Sequence, residues 1–278
     1  MATFLPLELE LHIFELLVNE SPKMAPTLMS LSTYAQNFIS SLVYKVMIVY
    51  TTQTRREPSM DAIEKYGRHI RHLLFGWELE ACGIAALTVY LRTAPNIINL
   101  AVWWDFYPEE DWSGLLRRLP LIRLSVSPIH LRWDARGSKE THIKVQNLFA
   151  FFPRLTHLDL VWQLPLPMPY IPCLKSLPNL TYISMNFPPS TARSFPDLSN
   201  ECPGPKAIVI FRHGQEYKEY VESNDSLDGV MDLRVVSCLV PSRVEDWERG
   251  ARGQPDVYDF GLEILRKRSR IANKSDGV

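Results

Sequence analysis

His69 and His72, three residues apart in "RHIRHLLFGW", are the nearest pair of histidines in the chain. Two imidazoles can begin a metal site, but zinc asks for at least three converging protein ligands. In the strand phase of this stretch the two rings need not converge, and no third ligand stands nearby in sequence. Glu109, Glu110 and Asp111 cluster three carboxylates just ahead of a helical stretch. There they read best as surface charge that complements a helix N-terminus. Cys82, Cys173, Cys202 and Cys238 are scattered, without CxxC or CxxH spacing, so neither a metal site nor a disulfide framework is expected. Reduced buried thiols in a cytosolic or nuclear protein are the plain reading. The chain contains no GxGxxG or GxxxxGK[ST] phosphate loop, no GxSxG elbow and no HExxH pair. No cofactor is expected.

The stretch "IVIFRHGQE", residues 208–216, resembles the strand-then-Arg-His-Gly signature of histidine phosphatases. The resemblance implies His213 as a phosphate-accepting nucleophile. That chemistry needs a second His or acid and further basic residues, mostly later in the chain. His213 is the last histidine, and only 65 residues follow it. The stretch is also in register with the repeat described below. A repeat strand is therefore preferred, and a phosphatase using His213 stands as the alternative from the enzyme class.

The elements that must position any such residues follow from the whole chain. Its 278 residues are 46% hydrophobic and 22% charged, ordinary values for a globular protein with ample core. A net charge of −1 gives no electrostatic footprint for nucleic acid or an anionic membrane. No basic residue precedes Lys23, so no signal or transit peptide is expected. The longest apolar run, "ACGIAALTVYL", is too short to span a bilayer. The expected location is intracellular, cytoplasmic or nuclear.

"FLPLELELHIFELL", residues 4–17, predicts a helix opened by Pro6 with Glu8 and Glu10 at its positive end. At 100° per residue Leu7, Leu11, Phe14 and Val18 share one stripe. Leu9, Ile13, Leu16 and Leu17 form a second, roughly 150° away. A helix covering one core needs one stripe of about 100°. The surplus face packs either within this chain or on another protein. "LPLELELHIFELL" resembles the start of an F-box, the Leu-Pro-x-Glu-[Leu/Ile]-x-x-x-Ile-Phe pattern of ubiquitin-ligase substrate receptors, matched at Leu5, Pro6, Glu8, Leu9, Ile13 and Phe14. "SSLVYKVMIV" is similar to the stretch that closes that module, whereas "LMSLSTYAQNFISSL" departs from its Val-Cys-Arg-Arg-Phe-like run. The resemblance implies a Skp-type adaptor of a cullin–RING ligase as partner, with Leu5, Pro6, Leu9, Ile13 and Leu17 as adaptor-binding residues.

Beyond residue 60 a phrase recurs: "RHIRHLLFGW" from Arg68, "PNIINLAVWW" from Pro95, the shortened "PLIRLSVSP" from Pro120, "PRLTHLDLVW" from Pro153, "PNLTYISMNF" from Pro178 and "PGPKAIVIFR" from Pro203. The intervals are 27, 25, 33, 25 and 25 residues, the period of a leucine-rich-type solenoid. Counted from the proline, positions +5 and +7 are apolar: Leu100 and Val102, Leu158 and Leu160, Ile183 and Met185, Ile208 and Ile210. That alternation predicts strands with one buried face. Copies this short have room for one strand and one short return helix, which stack as a parallel sheet. "CGIAALTVYLRTA", "WSGLLRRL" and "VQNLFAFF" supply helices, each stopped by the following proline. Position +9 holds Trp77, Trp104, Trp162 and Phe187, expected as an inward aromatic spine. "DARGSKET", residues 134–141, is an expected loop insertion in the longest copy.

After the repeats, "GQEYKEYVESND" predicts a polar helix, "DLRVVSCLV" a last strand, and "VEDWERGA" and "VYDFGLEILRKRSR" two closing helices. This ending resembles the closing segment of F-box-like proteins of mushroom-forming fungi, in which irregular leucine-rich repeats follow the F-box-like start. The basic "RKRSR" reads as a solvated helix end favoured by the dipole rather than a nuclear signal.

The expected fold is α/β: an F-box-like helical unit over 1–46, a leucine-rich-repeat-like solenoid with a parallel sheet over 47–240, and capping helices over 241–278. The expected function is a non-enzymatic substrate receptor, joining an adaptor at its head to a protein target at its repeats, with no nucleic acid and no membrane as partner. A repeat scaffold not coupled to ubiquitination is the alternative among binding proteins. If +5 and +7 face inward, the residues between them line an exposed sheet face, which makes Trp103, Arg123, His157, Asp159 and Tyr182 the expected target-binding strip.

Overall fold

The computed structural model describes residues 5–49, 60–76, 82–103, 113–127, 149–161, 174–186, 204–212 and 233–275. It divides into two compact units, Met1–Ile98 and Asn99–Val278.

The first unit opens with α1 (Leu7–Glu20), α2 (Ala25–Met29) and α3 (Thr33–Val43). Pro6 sits at the N-cap of α1, and its carbonyl accepts from the amides of Leu9 and Glu10. Ser32 caps α3 by accepting from the Ala35 amide at 3.0 Å, which satisfies one of the end donors a helix leaves open. Phe14, Val18, Ala25, Leu28, Ala35 and Ile39 close a small core among these helices. The chain then runs into β1 (Val46–Val49), which pairs in parallel with β2 (His72–Phe75), Val46 opposite His72. Helix α4 (Met60–Tyr66) precedes β2 and α5 (Cys82–Thr93) follows it. Phe75 of β2 meets Tyr90 of α5 edge to face, 5.2 Å between centroids, which is how strand and return helix bury each other.

Among the described residues the second unit is a solenoid of six parallel strands in chain order: β3 (Asn99–Val102), β4 (Arg123–Val126), β5 (His157–Leu160), β6 (Tyr182–Asn186), β7 (Ala207–Arg212) and β8 (Val235–Leu239). Helix α6 (Ser113–Leu116) lies on one return path, and α7 (Arg243–Ala251) and α8 (Val257–Ser275) close the chain. The register is that of the repeat: Leu124, Leu158, Ile183 and Ile208 stand side by side, as do Val126, Leu160, Met185 and Ile210. All eight are buried. The +2 positions Ile70, Ile97, Leu155 and Leu180 are buried as well. In both units the residue after the proline adds a side-chain rung. Asn96 donates to the Arg68 carbonyl at 2.9 Å and Asn179 to the Pro153 carbonyl at 2.6 Å, each reaching the first residue of the preceding copy. Such bonds satisfy turn carbonyls that a solenoid would otherwise leave unpaired. The +9 aromatics, the 134–141 insertion and the helix expected over 214–225 lie outside the described residues.

Candidate functional site

Helix α1 uses one side for its own unit and leaves another bare. Phe14 and Val18 are buried in the head core, and Leu17 is half-buried against it. Leu9 is 51% exposed, Ile13 41% and Leu16 46%, with Leu5 and Pro6 exposed at the helix start. Two assignments from the sequence shift. Leu17, expected on the partner side, packs against the core, and Leu7, expected on the core stripe, is exposed at the helix start.

The outer face of the second unit's sheet is where the expectation needs correction. Trp103 is 1% exposed and Asp159 6%, while Arg123, His157 and Tyr182 are half-buried. These side chains do point away from the +5/+7 core, but they do not line a free surface. The closing segment of the same chain lies on them. One row of the sheet, Ser125–Asp159–Ser184–Val209–Val236, passes from polar to apolar across the strands. Its covering changes character with it. Over β7 and β8, α8 seals Val209, Phe211, Val236 and Cys238 with Val257, Tyr258, Ile264 and Leu265. Gly261 permits that contact, because a Cβ there would stand 3.0 Å from a Val209 methyl carbon.

Over β3 to β6 the contacts are polar. The Trp103 indole N–H donates to Ser125 Oγ at 2.6 Å, and the Ser125 hydroxyl donates to Asp159 Oδ2. Arg243, at the start of α7, donates to the same Oδ2 through Nη2, and its guanidinium lies over the rings of Trp103 (4.8 Å) and Phe211 (5.0 Å). Arg123 donates to Asp256 Oδ2. The Ser184 and Tyr258 hydroxyls share a bond of 2.7 Å. His157 stacks on Tyr182 at 4.4 Å and meets the edge of Tyr258 at 4.8 Å. Burial, with Arg123 adding repulsion, lowers the His157 pKa to about 3, so the ring is neutral at physiological pH. Burial raises the Tyr258 hydroxyl well above its ordinary value. Among these groups a cavity of about 30 Å³ remains, lined in part by Asn99, Asp159, Arg243, Trp247 and Asp256, room for one or two waters.

The closing segment is shaped for this seat. Gln254 N–H donates to Arg249 O and Gly253 N–H to Gly250 O, with Gly253 at φ +76°, a Schellman-type end to α7. Asp256 then caps α8, accepting from Tyr258 N–H while Asp259 accepts from Asp256 N–H. "DWERGARGQPD" thus turns the chain sharply and delivers Asp256 to Arg123.

Arg243, Asp256 and Tyr258 were not among the site residues expected from the sequence. One signal for Arg243 was present: a cation at the first position of a helix opposes the dipole and calls for a reason. Of the other candidates, His213, Glu109, Glu110 and Asp111 lie outside the described residues, and His69 accepts from Arg68 Nε at 3.2 Å. No group of metal-ligating side chains occurs among the described residues. Cys238 is buried and its thiol is pushed up to about 11, first by burial and then by Asp246, which makes it a poor nucleophile. No described helix is long and apolar enough to cross a membrane. Compared with models of known protein families and with curated proteins, the chain matches none.

Proposed function

We propose that this protein is a non-enzymatic substrate receptor whose helical head docks on a Skp-type adaptor of a cullin–RING ubiquitin ligase and whose second unit holds a protein target. The observation that carries the reading is the division of labour on α1. Phe14 and Val18 serve the head's own core, while Leu5, Leu9, Ile13 and Leu16 stay in contact with water. Apolar residues grouped along one helix face are what a partner groove reads. The F-box-like sequence over the same residues supplies the identity of that partner.

The test is capture of adaptor and cullin from native extract by wild-type protein, Leu9→Asp and Phe14→Ala. Leu9→Asp keeps the wild-type melting profile and loses the adaptor. Phe14→Ala lowers stability by about 3–5 kcal/mol, the cost of deleting a core aromatic. If the wild type stays folded yet captures no adaptor, a repeat scaffold uncoupled from ubiquitination replaces the ligase reading. If Leu9→Asp unfolds the head, the bare face is internal and the reading loses its basis.

A further inference from the structure

We propose that the strand face around Asp159 is a receptor for an arginine side chain, filled here by the chain's own Arg243, and that the target of the second unit is a polypeptide segment presenting an arginine to the same seat. This deepens the receptor reading above and rests on its target-binding half.

The seat has the chemistry of guanidinium recognition. Trp103 and Phe211 offer two ring faces, and Asp159 offers a carboxylate. A planar, weakly hydrated cation stacks on rings and bonds along its edge, whereas an ammonium does neither as well. The acid has a second anchor besides the cation, because the Trp103 indole donates to Ser125 and Ser125 donates to Asp159. These anchors stand on or beside strands, the most rigid part of the unit.

The present occupant fits the seat incompletely. Arg243 uses Nη2 on Asp159 Oδ2, while its Nε and Nη1 and the second Asp159 oxygen find no protein partner, in residues that border the small cavity. A side-on guanidinium would engage both carboxylate oxygens with two parallel N–H bonds. Its position is also against local preference. Arg243 begins α7, where the helix dipole disfavours a cation, although Glu245 and Asp246 in the same turn obey that preference. The seat, not the helix, accounts for the arginine. Finally, α7 is held on the sheet mainly by polar contacts. Ala251 is its one fully buried apolar residue, Val244 and Trp247 are half-buried, and its other buried side chains, Arg243 and Asp246, are held by polar bonds to Asp159 and to the Val257 amide. Helix α8, in contrast, is fastened by an apolar cluster. Polar contacts exchange with a competing polar partner far more readily than a sealed apolar interface does.

The full-length chain tests this in two ways. In native-state hydrogen exchange of the wild type, amides of 243–251 open locally, ahead of β4 to β6; protection equal to those strands overturns the proposal. In the second arm, a synthetic peptide of residues 241–256 is titrated into full-length Arg243→Ala. It binds, and the same peptide carrying Arg243→Lys binds at least about tenfold more weakly. The wild-type chain binds the peptide less well, because its own arginine competes at high effective concentration. If Arg243→Ala does not fold, Arg243→Lys serves as the acceptor chain. Equal binding of the two peptides, or binding of neither, overturns the proposal. Adaptor capture by the head is scored on the same samples. Its loss with the arginine preference intact removes the ligase reading alone, and the reverse result removes this one alone.

Discussion

His157 illustrates how a single side chain on the covered face sets a condition for folding. Its ring packs in one cluster with Tyr182 and Tyr258, beside Arg123, and it is kept neutral with a folded pKa of about 3 against about 6.5 unfolded. Between those values the unfolded chain binds a proton that the folded chain refuses. Stability from this group is therefore complete above pH 6.5 and falls as pH drops toward 3, with a limiting slope of about 1.4 kcal/mol per pH unit. The half-buried ring will show less than that limit. Asp246, raised chiefly by burial, acts in the opposite sense, so the measurement must be a difference: wild type against His157→Gln in denaturant melts across pH 4 to 7. The variant's acid limb is expected to be shallower; parallel curves would mean that His157 is solvated. Gly250 makes a second residue-scale case. A Cβ there would collide with Asp256 Oδ2 and stand 3.1 Å from Arg123 Nη1. Gly250→Ala should lower stability by about 1–3 kcal/mol, despite the better helix former, because it wedges apart a part-buried ion pair. Gly114→Ala, with nothing near its new methyl, is the control and should be neutral or slightly stabilising. A thermal melt of each decides it.

At the scale of elements, the two faces of one strand separate what sequence patterning carries from what it does not. Leu158 and Leu160 of β5 were legible because alternation at +5 and +7 recurs copy after copy, and both are buried as that pattern requires. Alternation alone puts Asp159 between them on a solvent-facing side, where an acid on such a strand normally stands. Its partner lies 84 residues downstream, and no period connects the two. A cover formed by non-repeating chain leaves no mark on the repeat beneath it. The same limit did not apply to α1, where a helical wheel alone separated Phe14 and Val18 from Leu9 and Ile13. The burial of Asp159 sets what its removal costs. Asp159→Ala strands Arg243 as an uncompensated buried cation and should cost about 3–5 kcal/mol, not the fraction of a kcal/mol due to a surface acid. Leu158→Asp should prevent folding, since it buries a charge with no partner at all. Chemical denaturation of Asp159→Ala, beside the double variant Asp159→Ala with Arg243→Met, separates the pair from the position. The double variant should recover much of the loss.

For the molecule as a whole, the closing helices belong to the sheet's packing as much as any repeat does. Helix α8 buries Val209, Phe211, Val236 and Cys238, a continuous apolar strip on two adjacent parallel strands. Left bare, such a strip beside the sheet's last strand would recruit other chains, and a stable solenoid end is normally shielded by polar capping elements. The outward side of α8 meets that need, with Glu263, Lys267 and Arg270 exposed and a Glu263–Lys267 pair at 2.7 Å. Arg268 donates from Nη1 to the Val235 carbonyl at 2.8 Å, which blunts the first residue of β8. A chain ended after Val240 loses all of this at once. It is expected to be recovered as aggregate or as a soluble form that binds ANS, the dye response of exposed apolar surface. A chain ended after Arg270 keeps every one of these contacts and should melt like the full-length protein. Soluble yield, dye binding and the cooperativity of the melt compare the two truncations directly. A folded, dye-silent 1–240 fragment would show that the strip is protected by something other than α8, and the closing helices would then be an appendage rather than the solenoid's end.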